Sequence, residues 1–126
     1  MTTAQDPSAV IRALDAACNA HDLETAMALF ADDAVATHTP PPDGVGVYRG
    51  TEQIRAWFEP QMPGFHVDAH DHQVSGETVR WSALVTHDLL RQIGQDQPVG
   101  ARNEAVVHAG KIASFTVTNP SLIERA

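Results

Sequence analysis

Thr78-Val79-Arg80-Trp81-Ser82-Ala83-Leu84-Val85-Thr86-His87-Asp88 changes character at every second residue. Val79, Trp81, Ala83 and Val85 fall on one face, and Arg80, Ser82, Thr86 and Asp88 on the other. Side chains of a strand alternate between faces, so this stretch predicts a strand with one face in a core and one in solvent. Its expected span is Thr78 to Leu90. Moving outward, Gln92 to Gln97 is a polar loop, and Val99 to His108 with Lys111 to Thr118 reads as a hairpin turning at Ala109-Gly110. On the other side, His66 to Val74 reads as a strand closed by a tight turn at Ser75-Gly76. The second half of the chain is therefore an antiparallel meander.

Before Gly64 the period is helical. Asp6-Pro7 marks a helix start, with the carboxylate as cap and proline in the first turn. Val10, Ile11, Leu14 and Cys18 recur three and four residues apart, giving an amphipathic helix to about Ala20. Asp22 caps a second helix that buries Leu23, Ala26, Met27 and Phe30. Ala34 to His38 is a short strand, and Thr39-Pro40-Pro41-Pro42-Asp43-Gly44 is a loop, because consecutive prolines fit neither helix nor ladder. Thr51 caps a third helix carrying Ile54, Trp57 and Phe58, and Pro60 stops it. The order α-α-β-α-β-β-β-β predicts an α+β domain with helices on one face of the sheet.

Composition narrows the function classes. A chain of 126 residues, 43% hydrophobic and 19% charged, is one ordinary globular domain, with a core from about residue 8 to 118. Eight Lys and Arg against sixteen Asp and Glu give a net charge of −8, which argues against nucleic acid and anionic membrane as partners. The first residues lack the basic and apolar regions of a secretory signal, so the expected location is the cytoplasm. Cys18 is the only cysteine, which leaves no internal disulfide or thiolate zinc site; inside the first helix it reads as inert.

Several short stretches carry a family resemblance: Asn19-Ala20-His21-Asp22-Leu23, Phe30-Ala31-Asp32-Asp33-Ala34-Val35, Tyr48-Arg49-Gly50, Ile54-Arg55-Ala56-Trp57-Phe58, Val79-Arg80-Trp81, Thr86-His87 and Ala109-Gly110-Lys111-Ile112. In order and spacing the chain resembles the SnoaL-like branch of the nuclear transport factor 2 superfamily. The resemblance implies a cone-shaped, strongly curved antiparallel sheet wrapped around the N-terminal helices and enclosing an apolar pocket. It also implies pairing into a homodimer through the outer sheet face. Polyketide cyclases, ketosteroid isomerases, epoxide hydrolases and dehydratases share the fold, as do proteins that only bind, so fold does not settle function.

The catalytic pattern of the ketosteroid isomerases is absent. The position of that family's tyrosine holds Leu14, that of its catalytic aspartate holds His38, and that of its protonated acid holds Asn103. Asn103 also stands where SnoaL-type cyclases keep an acid–base aspartate. The replacements remain polar. Histidine titrates near neutrality and serves as general acid or base. An asparagine amide can hold a carbonyl or donate to a developing oxyanion. His87, in phase with Val79 to Val85, is expected as an auxiliary proton carrier. Leu14, Phe30, Tyr48, Phe58, Trp81 and Phe115 are expected to contact a small hydrophobic substrate, and each also reads as core.

The expected function is a cofactor-independent enzyme of cyclase, isomerase or dehydratase type, acting on an apolar oxygenated substrate such as a polyketide or terpenoid. The alternative is a non-catalytic small-molecule-binding or dimerisation module of the same fold. A third reading rests on His66-Val67-Asp68-Ala69-His70-Asp71-His72, whose residues 66, 68, 70 and 72 would share one strand face able to hold a metal. Such alternation is equally what a solvated outer face looks like, and the expectation is no metal. Arg102 and Glu104 have the opposite phase to Asn103 and read as an exposed ion-pair position.

Overall fold

The computed structural model describes residues 6–39, 46–88, 92–94 and 98–118. The elements are α1 (Pro7–Asn19), α2 (Leu23–Ala28), β1 (Phe30–Thr39), β2 (Val47–Arg49), α3 (Gly50–Phe58), β3 (Phe65–Ser75), β4 (Thr78–His87), β5 (Val99–His108) and β6 (Lys111–Thr118). The expected order is present, with β2 added; three residues are too few to leave a readable period. The polyproline loop and the continuation of β4 to Leu90 fall largely outside the described residues.

Local chemistry sets the helix boundaries. The Asp6 carboxylate accepts the Ser8 N–H at 3.0 Å and opens α1. Asp22 accepts the Thr25 N–H at 3.2 Å and opens α2. The stripe reading places Phe30 at the end of the second helix, whereas α2 stops at Ala28 and Phe30 opens β1. Its burial survives the change, because the ring packs against Phe58 and Phe115 with centroids 5.8 and 6.1 Å away.

The six strands run β2-β1-β6-β5-β4-β3 across a curved, unclosed sheet. From β3 to β6 the pairing is the expected antiparallel meander, whereas β1 joins β6 in parallel. Ala109 and Gly110 both have positive φ, the backbone that a two-residue hairpin turn requires. Ile11, Leu14, Ile54 and Ile112 are fully buried where the helices meet the concave face.

Two irregularities shape the concave face. At the end of α1, the Asn19 amide donates to the Val67 carbonyl at 2.9 Å and accepts the Val67 N–H at 2.7 Å. His21, in the left-handed region at φ 57, donates from Nε2 to the Phe65 carbonyl at 2.9 Å. The side chains of the Asn19–Leu23 stretch thereby take up backbone groups on the outer edge of β3, which has no further strand beyond it among the described residues. The second irregularity is a bulge in β3. His70 pairs with Ser82 and Gln73 with Arg80, so Asp71 and His72 together face the single residue Trp81. Asp71 takes φ 61 to allow it. The bulge corrects the reading of the His66–His72 run: residues 66, 68 and 70 share the exposed face, but His72 turns to the other side. Among the described residues no group of three or more His, Cys, Asp or Glu gathers around one point.

Candidate functional site

Register aligns the polar residues of the concave face. His38 on β1 is opposite Val117 on β6, Val117 is opposite Asn103 on β5, and Asn103 is opposite Trp81 on β4. Trp81 in turn faces the bulge that presents His72. Directly opposed residues project to the same side of a sheet, so His38, Val117, Asn103, Trp81 and His72 form one row crossing five strands. Neighbouring strands lie about 4.8 Å apart, and the concave curvature draws the side chains of such a row together.

Above the row lies an apolar cavity of about 120 Å³. Leu14, Asp15 and Cys18 of α1 form its roof, with Trp57 and Phe58 of α3 and Gln61 and Met62 just after it. The sheet contributes His38, Trp81, Asn103, Phe115 and Val117, together with Val67, Ala83, Val85 and Ala101 deeper along the strands. Trp81 stacks on Phe115 at 5.9 Å, and the His38 ring meets the Trp57 ring edge-on at 5.5 Å. Asn103 is only 9% exposed, and its Oδ1 has no hydrogen-bond partner among the described residues. The Nε1 groups of Trp57 and Trp81 are likewise buried and unpartnered among those residues. All three residues line the cavity, so one acceptor and two donors belong to its wall residues.

Of the expected substrate contacts, Leu14, Phe58, Trp81 and Phe115 line the cavity. Phe30 is packed in the core beneath it, and Tyr48 is buried flat against Trp57, with centroids 4.9 Å apart. His38 and Asn103 line the cavity together. His87 sits at the strand end with Nε2 2.7 Å from the Gln61 carbonyl, outside the lining set. A carbonyl only accepts, so that nitrogen carries the proton. Arg102 and Glu104 are exposed on the outer face, where Glu104 pairs across strands with Arg80 at 2.9 Å.

The sequence pattern gave no place to Asp15. On α1 it lies four residues after Ile11 and three before Cys18, on the stripe where an apolar residue would be expected. Its side chain is only 19% exposed, and burial pushes its carboxyl up to about 7. The same burial, with Asp15 as neighbour, pushes the Cys18 thiol up to about 12, which removes thiolate chemistry at neutral pH. The carboxylate inside a helix stripe was the available signal.

Comparison with known proteins places the fold. A family model described as a SnoaL-like domain matches residues 10–117. An NTF2-like protein of unknown function from Cytophaga hutchinsonii superposes with a TM-score of 0.75 at 16% identity, covering 98% of this chain and 99% of that one. A candidate polyketide cyclase from Sinorhizobium meliloti gives 0.72 at 17%, covering 90% and 99%. A candidate ketosteroid isomerase from Kribbella flavida gives 0.72 at 17%, covering 89% and 76%. No curated protein matches the sequence. Identities this low carry the fold and not the reaction.

Proposed function

The chain belongs to the SnoaL-like domain family, and from that premise we propose that it is a cofactor-independent enzyme moving protons on a small, apolar, oxygenated ring compound. Cyclisation, isomerisation and dehydration all reduce to such transfers. The observation that carries the reading is the pair His38 and Asn103, flanking Val117 in one row on the wall of one apolar cavity. Neutral His38 takes a proton from the carbon beside a carbonyl. The negative charge moves to the carbonyl oxygen, which receives the Asn103 amide N–H, and His38 returns the proton elsewhere on the carbon skeleton. His87 stands behind the cavity as a positioning residue, its Nε2 holding the carbonyl of the cavity-lining Gln61.

Cavity size narrows the substrate. About 120 Å³ is close to the roughly 150 Å³ apolar cavity that accepts one benzene ring, and below the roughly 300–1,000 Å³ of drug-sized pockets. The substrate is therefore a single-ring member of the polyketide or terpenoid classes.

The test is deuterium exchange into 2-cyclohexen-1-one, followed by NMR in deuterated buffer. The expected result is protein-dependent exchange of ring protons, reduced about 10²- to 10⁴-fold in His38→Gln with an unchanged melting temperature. Exchange retained in His38→Gln removes that residue's role. Saturable binding of the ketone without exchange turns the protein into a binding module.

A further inference from the structure

The acid–base chemistry of His38 and Asn103 leaves one ionisable group on the cavity unused, and a histidine lies behind it. Asp15 lines the cavity from the helix side. Its Oδ2 is 4.0 Å from Nε2 of His72, whose side chain is 11% exposed. The His72 ring lies flat on Trp81, 5.9 Å between centroids and 8° between planes. Nε2 is buried and has no hydrogen-bond partner among the described residues. His72 reaches this position only because the bulge at Asp71 reverses the phase of β3, at the cost of a non-glycine residue in the left-handed region. The Asn19 clamp on Val67 fixes α1 against the same strand, so both ends of the pair are held from nearby.

We propose that Asp15 is a proton carrier of this cavity and His72, 4.0 Å from it on the face of Trp81, its positioning residue; the inference rests on the acid–base reading of the cavity. Burial raises Asp15 toward neutrality and, as the largest influence, lowers His72. Arg12 and His70 lower His72 further and Asp71 opposes them, so the imidazole gives up its proton more readily than an ordinary histidine. The other titratable group facing Asp15 on α1 is Cys18, which stays a thiol, and His38 faces the cavity from β1. With Asp15 at one side and His38 at the other, a substrate can lose a proton to one group and gain one from the other. Loss of water uses that pairing directly, one group taking the proton from carbon and the other giving one to the leaving hydroxyl. An apolar wall disfavours a desolvated anion, leaving neutral hydroxyketones and enones as the ligand class.

Two measurements test the pair. In carbon-13 NMR titrations of the labelled protein, the Asp15 carboxyl should titrate near neutrality, and its midpoint should move by about half a unit or more in His72→Gln. In the cyclohexenone exchange assay, Asp15→Asn should lose about 100-fold or more, and His72→Gln should shift the midpoint of the pH–rate profile with a smaller loss at the optimum. An Asp15 midpoint near 4, or one unmoved in His72→Gln, overturns the pair. Exchange that survives Asp15→Asn but not His38→Gln overturns Asp15 as carrier and leaves the acid–base reading intact. No exchange by the wild-type protein removes that reading and the carrier role with it.

Discussion

The cavity has two polar walls built in different ways. One is made of regular strands, with His38 on β1 and Asn103 on β5 held in ladder register through Val117. The other is made of irregularities, with Asp15 breaking an apolar helix stripe and His72 delivered behind it by a bulge. The regular wall presents an uncharged amide and an imidazole in fixed positions. The irregular wall presents a carboxylate that burial forces toward neutrality. An amide, or an imidazole whose ordinary titration already lies near neutrality, can stand on ladder geometry. A carboxyl ordinarily titrates far lower and has to be taken out of water to reach neutrality, which here required a helix, a bulge and a clamp.

Trp81 lies between the walls, touching His72 and Phe115, so its removal should damage both. Trp81→Ala is expected to lose about 3–5 kcal/mol in urea unfolding, the usual cost of emptying a buried aromatic site. A loss below about 1 kcal/mol would mean that the walls do not share a platform.

Asp15→Asn separates the walls by pH. The native carboxyl titrates at about 7 against 3.8 for an ordinary aspartate, so between those values the folded protein binds the extra proton. Stability therefore falls as pH rises from about 4 through 7. The variant lacks this slope and should exceed the wild type by roughly 2–4 kcal/mol at pH 9, with no such gain at pH 4. Parallel stability–pH curves for the two proteins would contradict the desolvated carboxyl.

Asn19→Ala strips the clamp from the irregular wall alone. Leaving both Val67 backbone groups without their side-chain partner should cost about 1–3 kcal/mol and disturb the NMR signals of His72, with those of His38 unchanged. Equal disturbance of both histidines would break the division between walls. The smallest effect is expected outside the cavity: Glu104→Ala removes an exposed cross-strand pair and should change stability by less than about 1 kcal/mol, with no change in exchange rate.

The difference between the walls also explains what could be read beforehand. Period-two alternation located β4, and β5 and β6 begin and end on the residues expected from it. It likewise put Asn103 inward and Arg102 and Glu104 outward, because phase on a regular strand is decided by its neighbours. His72 escapes the alternation because one inserted residue reverses phase, and nothing in an Asp-His-Gln sequence announces that Asp71 adopts φ 61. Asp15 leaves little trace because a single carboxylate on a thirteen-residue helix barely alters its stripe. The parallel pairing of β1 with β6 joins segments far apart in the chain and leaves no local trace.

A crystal structure of the protein with 3-hydroxycyclohexanone bound would probe both walls at once. The ring is expected inside the cavity near Trp57 and Trp81, with one oxygen within hydrogen-bond reach of Asn103 and His38 and the other near Asp15. A ring seated on the outer sheet face, or one inside the cavity with both oxygens against apolar side chains, would contradict a two-walled acid–base site.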